Sequence, residues 1–318
     1  MTAPQAYHRS LHRYALAVAG ATFVLVVAGG LVTSTGSGLS VPDWPLSFGT
    51  LFPRMEGGVR FEHTHRLIAA TVGLLTIGLA VWIARREPRR WVRGLAFVAV
   101  GAVVIQSVLG GLTVLFKLPT PISVAHASLA EVFFAMTVAL ALVTSPRWLT
   151  PPDERPDSGS PSTRTLALAT ATAVYAQVLL GALVRHTGAA LVIPDFPLAF
   201  GRLIPPVTSS LVAYQLAHRA GAVIVTLLVA WTAASVLGRH GDQPLLRRPA
   251  LALVALLGFQ ILLGALTIWT RKAVTPTTAH VATGALLLIT SVILALRAQL
   301  LLTPAAGAGA LVPAGATR

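Results

Sequence analysis

Eight long apolar stretches occupy most of this chain of 318 residues. Each approaches the length of about 20 mostly apolar residues that a helix needs to cross the hydrocarbon core of a bilayer. Charged residues make up only 11 % of the sequence, whereas soluble domains carry roughly 25 %. The pattern predicts an all-α polytopic membrane protein. Its eight transmembrane helices are expected near residues 12–33, 64–84, 92–115, 124–144, 164–186, 212–237, 249–269 and 277–301.

The basic residues are divided unequally between the two ends of these spans. Fifteen of the 24 lysines and arginines fall on the side that holds both termini, and seven fall on the opposite side. Because positive residues accumulate in cytoplasmic loops, both termini are predicted to be cytoplasmic. The net charge of +14 then belongs to loops that face an anionic membrane surface, and no nucleic-acid partner is expected. The short segment before the first span leaves little space for an organelle transit peptide, so we expect a bacterial cell membrane.

An internal repeat divides the sequence into two halves. The segments GGLVTSTGSGLSVPDWPLSFG (29–49) and GALVRHTGAALVIPDFPLAFG (181–201) are identical at 12 of 21 positions. The match continues between 64–75 and 217–228, and between 106–114 and 260–268. Each half holds four spans, and an even number of spans returns the chain to its starting side. The halves are therefore predicted to be parallel repeats, built as two tandem four-helix bundles.

The repeat also predicts the domain organisation. Residues 1–149 form the N-terminal bundle and residues 164–318 the C-terminal bundle. The segment between them, TPPDERPDSGSPST (150–163), is polar and rich in proline and serine. This composition is typical of a flexible linker, and the orientation of the spans assigns it to the cytoplasmic side.

Four of the nine histidines form two matched pairs. His65 corresponds to His218, and His126 corresponds to His280, each in the outer part of a span. Ionisable residues at membrane depth are costly and are usually functional. Two imidazoles on the second and fourth spans of one bundle can face each other, as axial ligands do on the two sides of a heme iron. The pairs are therefore predicted to be the iron ligands of two heme sites.

Other metal sites agree less well with the sequence. Zinc and non-heme iron require three or four side-chain ligands, which are often carboxylates or thiolates. Each half has two matched histidines with no matched acid beside them, and the chain has no cysteine. The absence of cysteine also excludes disulfides, iron–sulfur clusters and thiol catalysis. We assign no ligand role to His63 or His186, which have no counterpart in the other half.

The residue three positions before the first histidine of each pair differs between the halves. It is Glu62 in the first half and Gln215 in the second. Positions i and i+3 share a helix face, so Glu62 is expected beside the first heme. A carboxylate there can accept a proton or stabilise developing positive charge, which a carboxamide cannot do. The alternative is an acid that is favoured only by the helix dipole.

Three further charged residues are candidates for a role near these sites. Arg66 and Arg219 each follow the first histidine of a pair, where a guanidinium can bind a heme propionate. The alternative for both is an interfacial arginine whose charge reaches toward water. Glu131 lies in the fourth span beyond His126 and is a candidate for a proton path, although its role is left open.

These residues together resemble the heme A synthase family. The resemblance rests on Glu-x-x-His-Arg at 62–66, the matched His-Arg at 218–219, the segment 29–45 and the later pair His126 and His280. It covers roughly residues 12–301. It implies an eight-helix membrane enzyme that oxidises the C8 methyl group of heme O to the formyl group of heme A. The implied route is two successive hydroxylations with water as the oxygen source.

The resemblance also implies a role for each half. The C-terminal half would hold a heme b cofactor ligated by His218 and His280. The N-terminal half would take the heme O substrate between His65 and His126, with Glu62 as the catalytic acid. Many members of the family carry a cysteine pair in an outer loop. This chain lacks that pair, so a mechanism that requires it cannot operate here.

The implied partners are heme O synthase (the protoheme farnesyltransferase) and a heme-A-containing terminal oxidase, with an electron acceptor that is not identified. Two other functions remain compatible with the residues alone. A di-heme electron-transfer protein of the cytochrome b type would leave the side chains of its hemes unchanged. A transporter built on parallel repeats would need no heme at all.

Overall fold

The computed structural model describes residues 7–304, which are mostly helical. The helices of this range are α1 (Arg9–Ser34), α2 (Val59–Arg86), α3 (Arg90–Leu115), α4 (Thr120–Val143), α5 (Pro146–Leu149), α6 (Thr163–His186), α7 (Ser210–His240), α8 (Pro244–Trp269) and α9 (Val274–Leu301). Two three-residue strands, β1 (Arg155–Asp157) and β2 (Leu302–Pro304), and a short 3₁₀ helix at Ala189–Leu191 complete the elements.

Eight of these helices, all except α5, are long and apolar enough to cross a membrane. The prediction of an all-α polytopic membrane protein is therefore confirmed. Several helices begin earlier than the sequence predicts. For example, α2 begins at Val59 rather than near residue 64. Its first turns contain Glu62 and His63, which lower the local hydropathy without interrupting the helical hydrogen bonds.

The helices of each half form a closed ring of four. In the first half, α1 contacts α2, α2 contacts α3, α3 contacts α4, and α4 returns to α1. In the second half, α6, α7, α8 and α9 contact one another in the same cyclic order. We call these two rings the first and second bundles. This packing agrees with two four-helix bundles, whereas their origin as a tandem repeat remains an inference from the sequence.

The apolar core of each bundle lies at the end where the chain enters its first helix. In the first bundle it includes Leu11, Val18, Leu79, Ile83 and Leu140. In the second bundle the equivalent core is built from the beginning of α6 and α8 and the end of α7 and α9. The opposite end of each bundle is left with fewer buried apolar side chains. That end holds the matched histidines.

The two bundles contact each other through α1 and α4 of the first and α6 and α9 of the second. A small apolar cluster of Val26, Phe134, Ala285 and Ile289 fills this interface. Arg185 adds a polar contact, because its guanidinium donates hydrogen bonds from α6 to the backbone oxygen of Gly30 (2.7 Å) and to Ser34 Oγ (3.0 Å) in α1.

Part of the segment between the bundles, residues 155–157, is ordered in a strand. Strand β1 pairs in parallel with β2, which follows the last helix. Asp157 is buried, accepts a hydrogen bond from the backbone N–H of Arg164 (3.0 Å) and lies 3.6 Å from Nε2 of His240. Residues 155–157 are thus paired with the segment after the last helix, and the flexibility of the linker as a whole stays a prediction. Local composition does not reveal a pairing partner that lies at the far end of the chain.

Candidate functional site

The four matched histidines lie about two helical turns after the start of α2, α4, α7 and α9. All four are half-buried. His65 and His126 lie on the second and fourth helices of the first bundle, and His218 and His280 lie on the equivalent helices of the second. The structure thus places both pairs at the same end of their bundles.

Each of the four imidazoles packs against a glycine of the preceding helix. The glycines are Gly29 for His65, Gly110 for His126, Gly181 for His218 and Gly264 for His280. A Cβ atom on any of these glycines would lie 3.1 Å from Cε1 of the imidazole. Such a contact is too close without a shift of the ring. Four glycines therefore let four imidazoles approach the neighbouring helix in the same way.

The ring nitrogens of these histidines agree with an iron ligand set. Nε2 of His65, His126 and His218 has no hydrogen-bond partner within residues 7–304 and is not enclosed. Nε2 is therefore the nitrogen that is open to a ligand in these three residues, whereas Nε2 of His280 lies 3.4 Å from Nε2 of Gln260. Two imidazoles per bundle complete the coordination of a heme iron, because the macrocycle supplies the four equatorial nitrogens. The residues present thus fit one heme in each bundle.

The second bundle gives the other ring nitrogen, Nδ1, a polar partner in both histidines. The carboxamide of Gln177 lies 3.0 Å from Nδ1 of His218 and donates to the backbone oxygen of the same residue at 2.8 Å. Nδ1 of His280 lies 3.2 Å from the backbone oxygen of Gln260. A carboxamide can present either its N–H or its oxygen to an imidazole. Such partners fix the orientation of a ligand histidine.

In the first bundle the clearest difference is at His65, for which the described residues provide no polar partner of this kind. Nδ1 of His65 and Nδ1 of His126 are buried without a hydrogen-bond partner in the described part of the chain. The repeat places Leu25 where the second bundle has Gln177. Gln106 is present at the position of Gln260. Its carboxamide donates to the backbone oxygen of His126 (2.8 Å), whereas Nε2 of Gln260 lies 3.4 Å from Nε2 of His280. The first pair of imidazoles therefore has fewer hydrogen-bond partners than the second.

Glu62 is buried at the start of α2, and both carboxylate oxygens are engaged. Oε2 accepts a hydrogen bond from the backbone N–H of Val41 at 2.9 Å. Oε1 forms an ion pair with Arg66 at 2.6 Å, one helical turn away. The contact with Val41 joins α2 to the loop between α1 and α2. The carboxylate therefore has a defined position next to the helix turn that carries His65.

Gln215 repeats one half of this arrangement. Its Oε1 accepts a hydrogen bond from the backbone N–H of Ile193 at 2.8 Å, which is the equivalent of the Val41 contact. Its Nε2 donates to the backbone oxygen of Ala190 at 3.0 Å. The attachment of the loop is thus common to both bundles. The negative charge of Glu62 and its ion pair with the guanidinium of Arg66 occur in the first bundle and not at Gln215.

Arg66 and Arg219 have a structural role that the sequence does not predict. Arg66 donates to the backbone oxygens of Asp43 (2.6 Å) and Leu46 (2.7 Å). Both lie in the loop between α1 and α2, which we call the outer loop of the first bundle. Arg219 donates to the backbone oxygens of Asp195 (2.7 Å) and Leu198 (2.8 Å) in the equivalent loop. Each arginine therefore fastens a loop over the mouth of its bundle. Their role toward heme propionates remains a prediction.

The two outer loops have the same internal turn. The carboxylate of Asp43 accepts hydrogen bonds from the backbone N–H groups of Gly49 (2.8 Å) and Phe48 (2.7 Å), and these bonds hold the pKa of Asp43 below its usual value. The carboxylate of Asp195 accepts the equivalent pair from Gly201 and Phe200, which lowers its pKa in the same way. These aspartates therefore stabilise the loops.

A model of the cytochrome oxidase assembly protein family matches residues 12–62 and 58–292 of this chain. The matched segments include all four paired histidines and the outer loops. This chain belongs to that family.

Several relatives carry the name heme A synthase. One from Symbiobacterium thermophilum is 35 % identical in an alignment of 265 residues that covers 81 % of this chain and 85 % of the relative. One from Caulobacter vibrioides is 32 % identical in an alignment of 307 residues that covers 81 % of this chain and 86 % of the relative. One from Shouchella clausii is 31 % identical over 225 residues, covering 70 % and 74 %. The resemblance that the sequence motifs indicate is thus confirmed.

Three further ionisable residues, His63, His186 and Glu131, differ in their surroundings. His63 is buried and its Nδ1 lies 2.8 Å from Ser47 Oγ, so it joins α2 to the outer loop of the first bundle. His186 is the last residue of α6. Glu131 is buried in α4, and its Oε2 has no hydrogen-bond partner among residues 7–304.

The site contains two groups of residues that the sequence motifs do not single out. The first is the set of glycines against the imidazoles. The sequence contains a signal for these glycines, because Gly29 matches Gly181 and Gly110 matches Gly264 inside the repeated segments. The second is Gln177, which has no counterpart in the first half. A residue without a repeat partner gives no signal of its own until the fold places it beside His218.

Proposed function

We propose that this chain is a heme A synthase that oxidises the C8 methyl group of heme O to a formyl group. One observation carries the proposal. Two imidazole pairs are seated against glycines in the same way, yet among residues 7–304 a buried carboxylate, Glu62, precedes the first histidine of only one pair by three positions. Membership of a family whose relatives are named heme A synthase supports the same conclusion. The chain would thus pair one reactive site with one electron-carrying site.

The chemistry is two successive hydroxylations with water as the oxygen source. In each one, the methyl carbon loses a C–H bond and gains a C–O bond to water, and two electrons and two protons leave. After the second, the carbon carries two hydroxyl groups and loses one water to become the formyl group. The electrons pass to an acceptor that is not identified. The protein must therefore provide an acceptor for the protons and a path for the electrons.

We assign the heme b cofactor to the second bundle, with His218 and His280 as ligands, and heme O to the first, between His65 and His126. A retained cofactor benefits from ligands whose orientation is fixed by hydrogen bonds. The polar partners of Nδ1 in the second bundle support that role. A substrate must enter and leave, and the absence of these partners around His65 and His126, within the described residues, suits a heme that exchanges. When bound, the cofactor iron supplies one-electron redox chemistry.

Glu62 is the residue that we assign to proton transfer. The N–H of Val41 and the guanidinium of Arg66 hold its carboxylate at one place. Each carboxylate oxygen keeps a further lone pair, so the group can accept a proton that leaves the methyl carbon or the attacking water. Its negative charge also stabilises positive charge that develops nearby. Arg66 and Arg219 would bind propionates at the outer mouths of the bundles.

The remaining assignments follow from the membrane and the substrate. We propose a bacterial cell membrane, with both termini on the cytoplasmic side where arginines are most abundant. Heme O is a farnesylated product, so a protoheme farnesyltransferase must supply it. A heme-A-containing terminal oxidase would use the product. Both partners are inferred from the chemistry of substrate and product.

Heme extraction with mass analysis tests this proposal. The chain is expressed with a heme O source, and the extracted hemes are separated and weighed. We expect heme A in membranes with the wild-type chain and only heme b and heme O in membranes without it. In water enriched in the heavy oxygen isotope, the hydroxylated intermediate should gain the mass of that isotope. Unchanged heme side chains together with two bound hemes would instead indicate the di-heme electron-transfer protein.

A further inference from the structure

A cavity of about 480 Å³ lies between the two bundles, at the end opposite the histidines. It is lined by α1 and α4 of the first bundle, by α9 of the second and by the short helix α5. Much of its wall is aliphatic and is formed by Leu16, Val138, Leu142 and Ile293. The polar lining residues are His12, Ser145, Arg147 and Arg297. The cavity therefore combines a cationic part with an apolar wall.

The charges around this cavity are unbalanced. The guanidinium of Arg297 is half-buried and donates to the backbone oxygen of Leu245 at 3.0 Å. Arg147 is exposed and lines the same cavity. Within residues 7–304 no carboxylate lies within ion-pair distance of Arg147 or Arg297. Like charges held together repel, so an anion bound here would relieve the repulsion.

The position of the cavity relative to a membrane is indicated by its aromatic residue. Trp148, in α5, lines the cavity immediately after α4 ends at Val143. Tryptophan is enriched at the boundary between hydrocarbon and headgroups. The arginines therefore lie at headgroup depth, and the aliphatic wall continues into the hydrocarbon region. Basic pockets between transmembrane helices bind anionic lipid headgroups.

We propose that this cavity binds one anionic phospholipid. Its phosphate lies against Arg147 and Arg297, and an acyl chain follows the aliphatic wall formed by α1 and α4. Because the cavity is lined by helices of both bundles, the bound lipid joins them at the end opposite the heme sites. The contact of Arg185 with α1 joins them at the other end. Binding of this lipid does not depend on the reaction assigned to the histidines.

Native mass spectrometry of the purified full-length chain tests the proposal. The wild type is expected to retain one phosphatidylglycerol or cardiolipin in preference to phosphatidylcholine offered at equal concentration. Each of the substitutions Arg147→Gln and Arg297→Gln should weaken retention about fivefold, as expected for loss of one cation near an anionic headgroup. The matched control is Arg86→Gln, because Arg86 is an exposed arginine on the same side of the protein but outside the cavity. It should retain the lipid as the wild type does.

Two further arms separate the sources of the phosphate and the effects of misfolding. Inorganic phosphate is added in place of lipid, and protection against thermal unfolding by phosphate as strong as that by phosphatidylglycerol would overturn the lipid assignment. Leu16→Trp keeps every charge but narrows the aliphatic wall, so it should reduce lipid retention while the chain still elutes as a folded species. Equal lipid retention by the double variant Arg147→Gln/Arg297→Gln and by Arg86→Gln would also overturn the proposal. Binding of an acidic peptide in this cavity in place of the lipid would overturn the proposal as well.

Discussion

The two bundles of this protein are built on one plan and differ at a few polar positions. Both seat two imidazoles against two glycines, and both attach an outer loop through an arginine and through the residue three positions before the first histidine. They differ in that residue, which is Glu62 or Gln215, and in the partner of Nδ1, which is Gln177 for His218 and is absent for His65 among residues 7–304. Under the proposed function, packing would define where each heme fits, and a few polar groups would define the reaction that the heme undergoes.

The largest effect is expected from removing a ligand of the second bundle. His218→Ala or His280→Ala should abolish retention of heme b when the chain is purified from cells without heme O. His65→Ala and His126→Ala should retain it, because they belong to the substrate pair. The absorption spectrum of the purified protein measures this directly. Equal loss of heme b from all four variants would contradict the assignment of the two halves.

Glu62→Gln should give the next largest effect. Glutamine can still accept the hydrogen bond from Val41, as Gln215 does from Ile193. Only the charge is lost, and we expect heme A formation to fall about 100-fold or more, as for removal of a positioned acid–base group. The ratio of heme A to heme O in extracts measures this. The reciprocal variant Gln215→Glu should keep most of the activity, and normal heme A output from Glu62→Gln would refute the role of the carboxylate.

Substituting the glycines should test whether the imidazole seats are equivalent. Gly181→Ala and Gly29→Ala place a methyl group against His218 and His65, and overpacking of this kind costs about 1–3 kcal/mol. Gly20→Ala is the matched control, because no atom lies within 4 Å of the Cβ that it would carry. Thermal unfolding compares the stability of the three variants. A change in the heme b spectrum is expected for Gly181→Ala alone, and an identical change for Gly29→Ala would mean that heme b also occupies the first bundle.

A smaller effect is expected from the polar partner of Nδ1. Gln177→Leu gives the second bundle the residue that the first has at Leu25. Loss of about 1 kcal/mol for one hydrogen bond should speed heme b loss roughly fivefold. Competition with apomyoglobin measures the rate of loss. Leu25→Gln should have the opposite effect on heme O in the first bundle. If Gln177→Leu leaves the rate unchanged, the second pair is not held by this contact.

The smallest difference between the bundles is expected in their outer loops. Asp43 and Asp195 accept equivalent backbone hydrogen bonds, which lower both pKa values from 3.8. A carboxylate whose pKa is lowered on folding stabilises the protein above the unfolded pKa, and this stabilisation is lost as the pH falls through the folded pKa. The difference in unfolding temperature between the wild type and Asp43→Asn should therefore be constant above about pH 5 and shrink below about pH 4. Asp195→Asn should behave alike, and a difference between the two that varies near pH 7 would contradict this equivalence.

Much of this protein was determined by the sequence alone. Eight apolar stretches predict the membrane fold, because a span must be long and apolar to cross the hydrocarbon core. The repeat pairs His65 with His218 and His126 with His280, and it isolates Glu62 against Gln215. These signals are strong because hydropathy and matched positions can be read without knowing which side chains touch.

The tertiary structure decided the features that depend on contacts between distant residues. The seats of the imidazoles on glycines, the attachment of the outer loops by Arg66 and Arg219, and the partner of His218 at Gln177 all join different helices or loops. Strand β1 and its pairing with β2 likewise required the far end of the chain to be in place. A sequence specifies such contacts only through the packed fold, because the free energy of each contact depends on which groups the other helices bring beside it.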